Sequence, residues 1–123
     1  MSLEIREGAG DAGEAAAVEH FRNLGYGILS RNYKTRYGEL DIVLQKGNRV
    51  VFVEVRLRRA RDWGTPESTV TRSKQSRIVK SAIQFIKEMR LKDMEFRFDV
   101  LAFDEEEVRH IENAFDAPRR YIL

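Results

Sequence analysis

The chain of 123 residues predicts a single α/β domain over 1–123, a mixed central sheet of about five strands flanked by helices in the order α, β, β, β, α, β, β. Three observations predict it: one run of apolar residues at helical spacing, three consecutive strand-like runs, and one strand pattern after the second helix. Asp11 and Glu14 suggest a capping box, and Ala15, Val18, Phe21 and Leu24 continue an amphipathic helix that stops near Gly25. Tyr26–Tyr33, Glu39–Gln45 and Arg49–Leu57 are rich in Ile, Val, Leu and aromatic residues and suggest a β-meander. Arg58–Thr71 holds Gly64 and Pro66 among polar residues and suggests a loop whose large apolar group is Trp63. From Ser73 to about Arg90, Ile78, Val79, Ala82, Ile83, Ile86 and Met89 recur at helical spacing, with Lys74, Arg77, Lys80 and Lys87 on other faces. Glu95–Phe103 alternates as a strand, and Val108–Ile111 suggests a short fifth one.

Composition narrows the function classes. With 42% hydrophobic residues and a formal net charge of +2, the chain can bury a core and is not a disordered tail. It has no cysteine, so no disulfide scaffold and no thiolate metal site. No apolar run approaches the roughly 20 residues a membrane helix needs, and the start lacks an apolar signal core; the expectation is a soluble cytoplasmic protein. Gly8, Gly10 and Gly13 spell a GxGxxG, but no strand precedes them, so the dinucleotide reading fails. Charge is unevenly placed: −3 over residues 1–30, +10 over 31–92 and −5 over 93–123. A basic middle suits a phosphate-binding face and equally suits an ordinary solvated surface.

The most informative feature is a pair of acids inside apolar strands, Asp41 in Leu40–Leu44 and Glu54 in Val50–Val55, where a charge is costly. If Gly47-Asn48 is a two-residue turn, Lys46 faces Arg49, Asp41 faces Glu54 and Glu39 faces Arg56. Two carboxylates opposed across strands repel, and a divalent cation between them reverses the sign. Carboxylate oxygens suit Mg²⁺ or Mn²⁺, whose natural work is phosphodiester hydrolysis. Zinc is disfavoured, because His20 and His110 stand apart in the sequence and no cysteine is present. The competing structural reading is a solvated sheet end with Arg56 neutralising Glu54.

Several segments together carry a resemblance: Gly13-Glu14, Leu24-Gly25-Tyr26, Leu29-Ser30-Arg31-Asn32, Gly38-Glu39-Leu40-Asp41-Ile42-Val43 and Phe52-Val53-Glu54-Val55-Arg56, continuing through Gly64, Ser73-Lys74-Gln75 and Arg97-Phe98-Asp99-Val100. The chain resembles the YraN-type family of proposed endonucleases, itself similar to archaeal Holliday junction resolvases and to PD-(D/E)xK restriction endonuclease-like nucleases. The resemblance implies a restriction endonuclease-like core, metal binding by Asp41 and Glu54, and Glu14 reaching the same site from the first helix. It places Arg56 at the motif's lysine position. Arg cannot act as a base at neutral pH, which makes Lys74 the candidate substitute for the missing ammonium. Glu14 has a second reading as half of the capping box, and Glu39 is divided between outer-shell ligand and salt-bridge partner. Arg36, Arg58, Arg59, Arg61, Arg72, Lys74 and Arg77 are the candidate phosphate contacts.

The expectation is a metal-dependent endonuclease acting on DNA, with branched or junction DNA among its candidate substrates and Mg²⁺ or Mn²⁺ as cofactor. A homodimer would place two such sites on two strands. The alternatives are a catalytically impaired nucleic-acid-binding module of the same fold and a protein-binding adaptor.

Overall fold

The computed structural model describes residues 10–57, 70–103 and 107–117. Its elements follow the predicted order: α1 (Gly10–Asn23), β1 (Gly27–Thr35), β2 (Gly38–Lys46), β3 (Arg49–Leu57), α2 (Arg72–Glu88), β4 (Glu95–Phe103) and β5 (Val108–Ile111). The five strands form one mixed sheet in the order β1-β2-β3-β4-β5. Only β3 and β4 run parallel, joined by the crossover that contains α2; the other neighbours are antiparallel. No helix among the described residues is long and apolar enough to cross a membrane.

Each helix covers one face. On one side Val79, Ala82 and Phe85 of α2 pack on Val50, Phe52, Phe98 and Val100; on the other Ala17, Val18 and Phe21 of α1 pack on Ile42, Val51, Val53 and Leu101. β3 is therefore buried on both faces, which is why Val50–Val53 reads as a continuous apolar run rather than an alternating one. Phe21, Phe52 and Phe85 are fully buried, each contributing roughly 1.5–3 kcal/mol of hydrophobic stabilisation. Val70, in the segment expected to be polar loop, is 4% exposed and joins the α2-side core just before the N-cap Thr71. Trp63 and the rest of that expected loop up to residue 69 lie outside the described residues.

Two departures from the expected local structure shape the site. Asp11 falls within α1, after its first described residue Gly10, and the Glu14 carboxylate accepts a hydrogen bond from Asn32 Nδ2 on β1 at 2.8 Å. The β2–β3 hairpin has the expected turn, Lys46 opposite Arg49 with Gly47 in the left-handed region (φ 61°), but the ladder closes at Ile42–Val53. Beyond it β2 continues only with β1 and β3 only with β4, so Glu39 and Arg56 do not face each other.

Candidate metal centre

The opening between β2 and β3 is organised by Asp41. Leu40 packs in the α2-side core and Ile42 in the α1-side core, although residues two apart in a regular strand share a face. Alternation is thus broken at Asp41. The neighbouring strand breaks at the same level: between the pairs Arg31–Ile42 and Tyr33–Leu40, Asn32 leaves the ladder and adopts a left-handed conformation (φ 55°). A bulge between Ile28 and Ser30 adds to the irregularity of β1. The result is a carboxylate at a point in the sheet from which it meets groups on both sides.

Asp41 Oδ2 accepts the Val55 N–H at 2.8 Å, so the side chain takes over where the backbone ladder ends. Glu54 is its close acidic neighbour, and the two carboxylates line the same small cleft. On the α1 side, Glu14, Glu39 and Asp41 each offer an oxygen, all within 4.8 Å of one another, the one such trio among the described residues. On the α2 side, Glu54 lies 3.5 Å from Lys74 Nζ, both largely buried. A cleft of about 10 Å³ lined by Glu39, Asp41 and Glu54 with Leu40, Phe52 and Ile78 separates the groups, about the space of one water-sized sphere.

Electrostatics reflect this crowding. Burial, then the hydrogen bond and charge of Glu54, push the Asp41 carboxyl up to about 9, with the Val55 N–H and Lys74 opposing. Burial also raises Glu14; the Asn32 amide lowers it, while Asp41 and Glu39 raise it further. Lys74 is fixed by the helix start: Thr71 Oγ1 accepts the Lys74 N–H at 3.2 Å as the α2 cap. No acid occupies the first turn of α2, which instead carries Arg72 and Lys74 against the helix dipole. That costs roughly 0.3–1 kcal/mol per cation.

The other sequence-predicted residues fall as follows. Arg56 follows Glu54 by two on β3, pairs in register with Ala102, and keeps a buried Nη1 without a hydrogen-bond partner. It makes no ion pair with Glu39 or Glu54 among the described residues, which removes the neutralisation expected of it. Glu39 joins Glu14 and Asp41 instead, because the break at Asp41 returns it to the α1 side. Arg72 and Arg77 are exposed on α2, and Arg36 is exposed at the β1–β2 turn. Arg58, Arg59 and Arg61 lie outside the described residues.

Asn32 and a second polar cluster escaped the sequence reading. Asp99, 1% exposed on β4, receives Nε and Nη2 of Arg97 at 2.8 Å each, lies 2.8 Å from His110 Nε2, and accepts the Asn113 N–H at 2.9 Å. His20 and His110, far apart in sequence, bring their rings to 5.8 Å, so they are not isolated. Burial, aided by His110, lowers the pKa of His20. Arg97 two residues before Asp99, in a strand, was the available signal, since both side chains share a face.

Comparison with known proteins places the chain. The model of the uncharacterised protein family UPF0102 matches residues 13–103, from just before Glu14 to the end of β4. A UPF0102 protein of Sulfurihydrogenibium sp. (strain YO3AOP1) is 43% identical over 83% of this chain and 89% of its own length. Those of Myxococcus xanthus (41%; 88% and 89%) and Syntrophomonas wolfei (43%; 84% and 93%) match similarly. With that coverage and identity, including every acid of the cluster within the matched span, the chain belongs to the UPF0102 (YraN) family.

Proposed function

We propose that the protein is a metal-dependent endonuclease that hydrolyses DNA phosphodiester bonds, with branched or junction DNA as candidate substrate. The observation that carries this reading is the gathering of four carboxylates around Asp41, with Glu39 and Glu54 lining one small cleft beside it, Glu14 within reach of Asp41 and Glu39, and Lys74 as the close ammonium of Glu54. An all-oxygen donor set of this kind fits a hard cation such as Mg²⁺ or Mn²⁺. Asp41 and Glu54, which line the cleft together, would hold it, with Glu14 and Glu39 close to Asp41 on the α1 side; a bound cation supplies an acidified water and charge neutralisation at phosphate. The protein's own groups then divide the remaining work. Lys74 is in place to orient a nucleophile or meet a phosphate oxygen, and the unsatisfied Nη1 of Arg56 is a donor suited to an anionic oxygen. The exposed Arg72, Arg77 and Arg36 supply phosphate contacts.

The test is cleavage of labelled single-stranded, duplex, flap and four-way-junction DNA with Mg²⁺ and with Mn²⁺, beside Glu54→Gln protein prepared identically. Cleavage by the wild type and none by the variant is the expected result. Arg56, in place of lysine, favours a second reading, an impaired module that binds DNA without cutting it; binding without cleavage by either protein would establish that one. Neither binding nor cleavage would favour an adaptor for another protein.

A further inference from the structure

The β1–β2 turn is built more firmly than a connection requires. Thr35 pairs with Gly38 across the two-residue turn Arg36-Tyr37, and Thr35 Oγ1 accepts the N–H groups of Tyr37 (3.0 Å) and Gly38 (3.2 Å). The same hydroxyl lies 2.8 Å from Ser81 Oγ, a fully buried group of α2, so the turn is pinned to the helix. Its tip presents an aromatic ring with two cations. The Arg36 guanidinium stands 4.9 Å from the Tyr37 ring centre and donates to the Tyr37 hydroxyl at 2.8 Å; Lys80 Nζ stands 5.7 Å from the ring.

These groups line an open cleft of about 460 Å³ that Ile83, Gln84 and Lys87 complete along one face of α2. That volume falls within the range of about 300–1,000 Å³ typical of small-ligand sites. Glu88, the one acid there, is engaged by the Tyr33 hydroxyl and the Gln84 amide. Among the described residues Arg36, Lys80 and Lys87 have no carboxylate partner. The cleft thus offers positive charge, one aromatic face and one aliphatic wall.

We infer that this cleft holds one unpaired nucleotide of a DNA strand, its base against Tyr37 and its phosphates between Arg36, Lys80 and Lys87. The inference rests on the nucleic-acid reading above and specifies the form of substrate. A site for phosphate alone needs no ring or aliphatic wall, and a base inside a duplex has both faces covered by its neighbours. An unpaired base has a free π face, which an aromatic side chain stacks irrespective of sequence. Lys80, held at the ring by cation–π attraction alone, is the contact a base displaces, freeing the ammonium for the adjoining phosphate. The position relative to the carboxylates is also apt. Lys80 is six residues along α2 from Lys74, ~9 Å at helical rise, a separation that a short stretch of one strand spans. Tyr37 is two residues from Glu39 of the acidic trio. The strand would therefore be gripped a few nucleotides from the carboxylate cleft, at a fork or flap where pairing ends.

The experiment is fluorescence anisotropy, with EDTA present so that binding is read without cleavage, on a labelled oligothymidylate and on the same strand annealed into a blunt duplex. Tyr37→Ala should lose about tenfold in affinity for the single strand and less than about twofold for the duplex, while Tyr37→Phe keeps both. Tyr37→Leu, which preserves apolar bulk without a π face, should behave like Tyr37→Ala and carries the comparison should the alanine protein not fold. Equal losses on both DNAs, or loss in Tyr37→Phe as large as in Tyr37→Ala, would reduce Tyr37 to a support for Arg36 and overturn the inference alone. Failure of the wild type to bind either DNA would overturn the nucleic-acid reading together with it.

Discussion

Asp41 on β2 and Asp99 on β4 are acids set into one sheet, and their surroundings are opposite. Asp99 has a guanidinium, an imidazole and a backbone N–H on its two oxygens. Burial would raise its pKa, but these partners outweigh burial and hold it below the ordinary carboxylate range. Asp41 has one backbone N–H and three neighbouring carboxylates, and is pushed up to about 9. The first arrangement is complete within the chain, as a structural ion pair should be. The second is short of positive charge, and its shortage is what a cation would meet. Burial alone does not distinguish a structural acid from a functional one; the supply of counter-charge does.

Removing each acid should give opposite results. Asp99→Ala deprives the largely buried Arg97 of its nearest carboxylate, leaving it Glu112 and the Tyr26 hydroxyl, and should cost roughly 3 kcal/mol in urea denaturation, with Mn²⁺ affinity unchanged in whatever protein remains folded. Asp41→Asn retains an oxygen for the Val55 N–H while removing a crowded charge. The metal-free protein should hold its stability, while calorimetric Mn²⁺ affinity falls by more than about a hundredfold, beyond the range of outer-shell partners. Stability that drops as far as in Asp99→Ala would erase the contrast.

The pH dependence should separate the two as well. A carboxyl with a raised folded pKa binds its proton more tightly in the native state, so the stability it contributes is complete at acid pH. That contribution is lost as pH rises from the ordinary carboxylate range to about 9 for Asp41. Asp99, with a depressed pKa, contributes stability above the ordinary range and loses it as pH falls through its lowered value. In metal-free protein, Asp41→Asn should flatten the alkaline decline and Asp99→Asn the acid one; urea midpoints across the range check both.

The smallest expected effect concerns Asn32. Glycine keeps the left-handed backbone without strain and deletes only the amide that positions Glu14. Asn32→Gly should therefore weaken Mn²⁺ binding by about tenfold or less, with a loss of stability of roughly 0.5–1 kcal/mol. Asn32→Asp, which also tolerates this backbone but presents an acceptor to Glu14, should weaken binding further.

Much of this was legible in the sequence, for definite reasons. The turn at Gly47-Asn48 sets the hairpin register from Lys46–Arg49 to Ile42–Val53, which leaves Asp41 and Glu54 as neighbours just beyond the last pair. The α2 periodicity places Ile78, Val79 and Ala82 inward as the structure has them, with Ile83 and Ile86 partly buried beside them; it passed over Phe85, which is fully buried, and included Met89, which is 50% exposed. What was not legible arises where a strand departs from strict alternation. The exchange of faces at Asp41, with Asn32 leaving the ladder beside it, sends Glu39 to Glu14 rather than to Arg56. A pattern with a period of two has no means of signalling such a break. Of the Arg97–Asp99–His110 cluster only the first pair has a spacing to show it; His110 joins β4 to β5 and to the end of α1 through the fold.

The irregularity of β1 has an effect on how copies of this molecule meet. β1 is an outer strand, and an outer strand with an uninterrupted row of free amide and carbonyl groups invites another chain to add on as a further strand. The extra residue between Ile28 and Ser30 and the reversal at Asn32 interrupt that row twice within nine residues. At the opposite margin β5 offers only four. Sheet extension from molecule to molecule is thus discouraged at both margins. The kink that turns an amide toward Glu14 is thus also an interruption of that edge, and Asn32→Val, whose β-branched side chain disfavours this backbone, would forfeit both.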